Sequence, residues 1–275
     1  MPPKLGIIAG GGALPRHLVQ HCLNSGRAFF VVALKGQADD GAFAAVDHVD
    51  VRLGAAGETI KQLRQHGAED LIFAGAVRKP SLSELRPDLW TARFLARTGA
   101  YQLGDDGLLG ALIDYLEANE GFRVLGVADV MADLLAPAGV LTSAQPDAGA
   151  ERDIGIGIAA ARDLGRRDIG QAVVTAAGRL VAEEGRSGTD AMLAGLAGEG
   201  ADGVLVKAVK PNQERRADLP AIGPQTIENA ARAGLKGIAV EAGGALILEL
   251  DETIRAADAA GLFVVGAAPT DEATP

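Results

Sequence analysis

The chain has a single cysteine, Cys22, among 275 residues. A disulfide framework and a cysteine-based zinc site are therefore excluded, and a reducing compartment fits. Aromatic residues are only 4% of the total, so the cores must be built from Ala, Val, Leu and Ile. No apolar run approaches the ~20 residues that a membrane-spanning helix needs. The opening stretch MPPKLGIIAGGGALP has one lysine and a glycine-broken apolar run, which is not the pattern of a secretory signal. Positive charge is also scarce: 26 Lys and Arg against 36 Asp and Glu give a net charge of −10, which argues against a general nucleic-acid binder. Neither G-x-S-x-G nor a phosphate-binding GxxxxGK[ST] loop occurs. His17, His21, His48 and His66 lie in the first quarter without a partner carboxylate at metal-ligand spacing. The expectation is a soluble cytoplasmic protein that can still visit a membrane surface.

Hydrophobic residues at 48% and 37 glycines make an α/β composition. At a guide of ~150 residues per domain, two domains are expected, with a cleft for a ligand. The apolar run at 5–9, the turn Gly10-Gly11-Gly12 and the helically spaced Leu14, Leu18 and Val19 form the βα opening of a doubly wound sheet. Its glycines, Gly11 among them, let backbone approach an anion at a helix N-terminus. Further strands are expected at 28–34, 47–51, 71–74 and 122–127, and helices near 37–46, 57–66 and 108–116. Repeated βα units imply a parallel sheet. A nicotinamide-dependent dehydrogenase would place an acid near the end of its second strand. This strand ends in Lys35 and Gly36, and GGGALP lacks the last glycine of GxGxxG. The composition shifts near 136–150, APAGVLTSAQPDAGA, so the domains are read as 1–136 and 151–275 joined by a linker at 137–150. In the second domain a helix begins within 153–161, and strands are expected at 171–175, 179–182, 204–206, 238–240, 245–250 and 263–265. An acidic, glycine-bearing turn at 183–190 precedes a helix that Thr189 or Asp190 would cap.

The most informative stretch is 204–227, VLVKAVKPNQERRADLPAIGPQTI. A short strand leads in and a helix leaves, so Lys207, Lys210, Asn212, Gln213, Arg215, Arg216 and Asp218 sit on a loop held at both ends. Lysine acts on phosphate as a point charge and arginine as a fork. With Glu183, Glu184, Asp190, Glu214 and Asp218 as oxygen donors, the set suits a hard cation such as Mg2+ and a charged phosphate ester. Two other readings stay open: a nicotinamide-dependent oxidoreductase, from the glycine turn, and a non-catalytic nucleotide-sugar or lipid carrier, from the expected cleft.

Six blocks from one end of the chain to the other resemble the UDP-2,3-diacylglucosamine pyrophosphatases of the LpxI type. They are GIIAGGGALP (6–15), AGAVRKPSLSELRPD (74–88), LGDDGLL (103–109), DIGQAVV (168–174), SGTDAML (187–193) and, most specific, KAVKPNQERRADLPAIGPQTI (207–227). The resemblance implies a Rossmann-like N-terminal domain and a distinct C-terminal α/β domain. It implies Mg2+-dependent hydrolysis of a UDP-linked diacylated glucosamine lipid to UMP and 2,3-diacylglucosamine 1-phosphate in lipid A synthesis. The setting it implies is a cytoplasm with transient contact to the inner-membrane surface; nucleic acid is not a partner, and a homodimer is an option. By motif match Asp218 is the first choice for the essential carboxylate. Lys207, Lys210, Asn212, Gln213 and Arg216 surround the phosphates, and Gly75, Lys79, Gln102, Gly188 and Thr189 contact the nucleotide sugar. The chain departs from the family pattern at Ser187 and Glu214, which shifts the metal role to Asp218 and, second, to Asp190.

Overall fold

Leu5–Ala9 (β1) is a continuous apolar run with no alternation, the pattern of a strand covered on both faces, and all five residues are buried. The computed structural model describes residues 2–78, 81–196, 202–211 and 214–268. It divides into two units: Met1–Ala132 with Glu214–Asp218, and Asp133–Gln213 with Leu219–Pro275.

The first unit runs β1, α1 (Leu14–Ser25), β2 (Phe29–Leu34), β3 (His48–Val51), α2 (Ala56–Gln65), β4 (Asp70–Ala74), α3 (Leu82–Leu85), α4 (Leu89–Thr98), α5 (Asp105–Tyr115), β5 (Arg123–Leu125) and α6 (Val127–Val130). A π-helical turn, Leu116–Glu120, extends α5. The sheet order is β3-β2-β1-β4-β5 and every pair is parallel, which is the Rossmann-type order. One face is sealed by Ile8, Phe30, Val32 and Leu71 packed with Ile60 and Leu63 of α2 and Ile113 of α5. At the amino-terminal end of β4, the buried carboxylate of Asp70 accepts from Arg27 at 2.6 Å and from Arg123 at 2.7 and 2.8 Å.

The second unit comprises β6 (Gly139–Val140), α7 (Ala148–Arg166), β7 (Ala172–Ala176), β8 (Arg179–Glu183), α8 (Gly188–Gly195), β9 (Val204–Lys207), β10 (Ala221–Ile222), α9 (Pro224–Arg232), β11 (Gly237–Glu241), β12 (Leu246–Ile247), α10 (Leu250–Ala260) and β13 (Phe263–Ala267). Its main sheet has the order β6-β13-β11-β9-β7-β8, with β13, β11 and β9 parallel and the outer strands antiparallel. Strand alternation distributes β9 between two cores. Val204 and Val206 join Ile154, Ile158 and Leu164 of α7, and Leu205 joins Leu193, Ile227 and Ala257 of α8, α9 and α10.

Several expected elements differ from those observed. Residues 37–46 form turns rather than a helix, because Gly36 and Gly41 take left-handed φ of 72° and 70°. The expected linker at 137–150 is folded: β6 pairs antiparallel with β13, and Asp147 caps α7 by accepting from the Ala150 N–H at 2.7 Å. The strand expected at 245–250 shortens to β12, and α10 starts at Leu250. The strand expected at 122–127 shortens to β5, with α6 beginning at Val127. Helix α4 follows a cap at Asp88, which accepts from the Thr91 N–H at 2.8 Å.

Candidate active site

The first unit carries the turn Glu214–Asp218, although its neighbours in sequence belong to the second. The turn closes on itself, with the N–H groups of Ala217 and Asp218 donating to the Glu214 carbonyl at 2.9 and 3.0 Å. Arg216 fastens it. Its guanidinium forks onto both Glu214 oxygens at 2.9 and 2.8 Å, and it donates to Glu117 on the π-helical turn at 3.0 Å. Ala217 packs against the apolar core of this unit, and Asp218 is half-buried at the end of the turn. Arg216, expected around phosphates, is thus committed to two carboxylates and acts as a strut for the segment that carries Asp218.

The same clamp sets two protonation states. Hydrogen bonding from Arg216 holds Glu214 below its ordinary value, and Glu214 first, then Glu117, raise Arg216 above its own. A carboxylate depressed in the folded state contributes stability above its unfolded value of 4.5, and that contribution is lost as pH falls through the folded value. Arg216→Ala is therefore expected to cost about 1 kcal/mol near neutral pH, after allowing for solvent screening. The difference from wild type should shrink as pH falls below 4.5. Thermal melts from pH 7 to pH 3 read this, and a difference that stays constant over the range would remove the clamp.

In the second unit, the carboxyl ends of β9 and β11 gather a second set of charges. Lys207 ends β9 and is buried; its Nζ donates to the Ala221 carbonyl at 3.0 Å. Lys210 lies three residues on, with its Nζ 3.2 Å from Asp168. Glu241 ends β11 and is buried against Arg162 at 3.3 Å. Opposite Lys207 in register is Ala172, whose N–H donates to Glu184 at 3.1 Å, and the Gln171 N–H donates to the same oxygen at 2.7 Å. The other Glu184 oxygen accepts from the Thr189 hydroxyl at 2.7 Å. Glu184 is thereby a latch between β7 and α8, and the Thr189 hydroxyl is already engaged. The expected cap of α8 by Thr189 or Asp190 is replaced by Ser187 at the cap position, with no side-chain hydrogen bond. Asp190 accepts from Asn229 at 2.8 Å, and Gly188 opens α8 with a left-handed φ of 83°.

At the glycine turn after β1, two backbone segments meet, Gly10-Gly11 and Gly75-Ala76. Gly11 donates to Ala76 and accepts from it, both at 2.9 Å, so its amide is used within the fold. Gly75 has a φ of 88°, and a Cβ there would lie 2.5 Å from the Gly11 carbonyl oxygen. Both glycines serve this close approach of two backbone segments. Gln102 is exposed, on the 3-10 turn Ala100–Gln102. Lys79, Asn212 and Gln213 lie outside the described residues.

Four participants escaped sequence reasoning: Glu117, Asp168, Arg162 and Glu241. Glu241 had a signal, since an acid directly after the buried run Ile238, Ala239, Val240 sits at the edge of a sheet where ligands bind. Glu117 had none, because its partner is 99 residues away.

A family model described as the LpxI N-terminal domain matches residues 4–134, and one described as the LpxI C-terminal domain matches residues 137–265. The UDP-2,3-diacylglucosamine pyrophosphatase LpxI of Caulobacter vibrioides is 43% identical over 278 residues, spanning 98% of this chain and 99% of that protein. Among solved structures, a CobK precorrin-6A reductase aligns over 100% of this chain and 90% of its own at 13% identity and a TM-score of 0.32, too distant to bear on fold or function. With both domain models matched end to end and a near full-length relative, the chain belongs to the LpxI family.

Proposed function

We propose that the protein hydrolyses the pyrophosphate bond of UDP-2,3-diacylglucosamine, giving UMP and 2,3-diacylglucosamine 1-phosphate in lipid A synthesis, at the cytoplasmic face of the inner membrane. The observation that carries this reading is the 43% identity, over almost the whole of both chains, to a relative of that name. The chemistry of the residues is compatible with it. A pyrophosphate carries about two negative charges, and a water oxygen bonding to phosphorus adds charge to the non-bridging oxygens before the bridging oxygen leaves with its electron pair. Cations fixed in advance lower that barrier. Lys207 and Lys210 are the candidates, both held close to the sheet by the chain itself. Asp218 is the proposed essential carboxylate, placed either to hold a metal or to accept the proton of the attacking water.

Mg2+ would supply further charge neutralisation, held by Asp218 with Asp190 as second candidate. Among the described residues, no three His, Cys, Asp or Glu side chains converge as a metal cage. Oxygen donors in small number fit Mg2+, which commonly takes one or two carboxylates and completes its shell with phosphate oxygens and water. Membrane contact would be peripheral, since no described helix is long and apolar enough to cross a bilayer.

The test is UMP release from UDP-2,3-diacylglucosamine by the purified protein. Turnover is expected with Mg2+, loss of turnover with EDTA, and recovery when Mg2+ is returned in excess. Absence of UMP with Mg2+ present would overturn the reading.

A further inference from the structure

Two cavities of the first unit adjoin each other. The first, about 390 Å3, lies at the carboxyl ends of β2, β3 and β4 and is lined by Lys35, Arg52, Arg78 and Arg86, with Glu84 as its one acid. Four cations to one carboxylate reverses the balance of a chain whose net charge is −10. The second, about 140 Å3, is walled by apolar side chains including Ile8, Ile60, Phe73, Trp90, Leu109 and Leu112. Leu53 lines both. At Leu34-Lys35 and again at Val77-Arg78, consecutive residues face the apolar cavity and then the basic one.

The basic cavity has a fixed wall. Arg52 donates to the carbonyls of Leu85 and Arg86 at 3.4 and 3.0 Å, and the Asp88 N–H donates to the Gly54 carbonyl at 2.8 Å. The approach is so close that a Cβ on Gly54 would lie 1.8 Å from the Leu85 carbonyl oxygen. Docking in this way holds Arg86 at a φ of 44°, a left-handed conformation that is unfavourable for a residue with a side chain. The backbone is strained at a residue that lines the cavity. Clustered cations recognise phosphate, and an apolar cavity of about 150 Å3 can take a guest the size of benzene.

We propose that the two cavities together bind one anionic amphiphile, with its phosphate on Lys35, Arg52, Arg78 and Arg86 and the end of its acyl chain in the apolar cavity. Identifying that amphiphile with the acylated substrate rests on the proposed hydrolysis; the binding itself does not.

Calorimetric titration of the full chain with dodecyl phosphate below its micellar concentration tests this, with inorganic phosphate and dodecyl maltoside run in parallel. Dodecyl phosphate is expected to bind at least about tenfold more tightly than either, as expected when a charge-assisted contact and apolar burial act on one ligand. Arg86→Gly removes a cation at a position whose φ glycine accepts, so the melting temperature should hold while dodecyl phosphate affinity falls about tenfold. Leu109→Phe fills the apolar cavity, and should weaken dodecyl phosphate while leaving inorganic phosphate unchanged. Equal dodecyl phosphate affinity in wild type and both variants overturns the proposal. Binding to phosphatidylglycerol vesicles without binding of monomeric dodecyl phosphate also overturns it, replacing a cavity by a surface contact. Because the readout is binding, a failure of UMP release leaves this result intact, and hydrolysis without amphiphile binding refutes this proposal alone.

Discussion

Asp218→Asn is expected to lower kcat for UMP release by a factor on the order of 10³, about 4 kcal/mol of transition-state stabilisation, while the protein still folds. Asparagine keeps the size of the side chain and removes only its charge. The turn keeps the backbone hydrogen bonds from the N–H groups of residues 217 and 218 to the Glu214 carbonyl, and Arg216 still anchors it through Glu214. Loss of charge alone removes both roles open to Asp218, metal ligand and proton acceptor, so the variant tests the residue and not a choice between them. A Mg2+ titration then separates the two. A metal ligand requires more Mg2+ for half-maximal rate in the variant, whereas a proton acceptor leaves the metal dependence unchanged and alters the pH profile. Near-normal turnover in Asp218→Asn would remove the residue from the mechanism.

Asp70→Ala is expected to be the most destabilising single change in the first unit, at about 3–5 kcal/mol. The carboxylate is 2% exposed and the Arg27 side chain 11% exposed. Removing the acid leaves Arg27 charged and largely buried, with the Pro3 carbonyl, at 3.2 and 3.3 Å, as its remaining acceptor among the described residues. Against a total stability of about 5–15 kcal/mol, that is a large fraction, equivalent to roughly 10 °C in Tm. The control is Arg123→Ala. Its side chain is 62% exposed, so water replaces most of what it loses and the drop in Tm should be much smaller. If Asp70→Ala and Arg123→Ala melt together, the buried pair is not what fastens β4.

These two residues mark how far the sequence alone could be read. Asp70 was hidden, because its partners lie 43 and 53 residues away and neither separation has a periodicity. Asp218 was visible as part of a dense polar stretch between apolar segments, but its fastening to Glu117 through Arg216 was not. The N-terminal strands were legible because each is a continuous apolar run, which only a doubly covered parallel sheet requires. Helix α4 was missed although Asp88 announces it, since its burial rests on two residues, Thr91 and Phe94, too few to show a period. The glycine turn was legible as a place of close approach, but not what it approaches within the fold. Glycine permits close approach of anything, and here what approaches is Ala76 of the same chain. Arg216 was read as a phosphate ligand because its chemistry fits phosphate; its contacts to Glu214 and Glu117 were not legible, although carboxylates satisfy the same fork geometry.

The membership of Glu214–Asp218 in the first unit has a consequence for synthesis on the ribosome. The first unit is not complete when residue 132 emerges, because its last five residues follow only after 133–213 have been made. Until then Glu117 faces no Arg216, and the core that Ala217 will cover has no lid. A chain stopped at 136, a natural place to cut by sequence, should therefore hold a sheet in register but a loosened π-helical turn. Vectorial synthesis makes the segment that carries Asp218 one of the last parts of its own unit to dock.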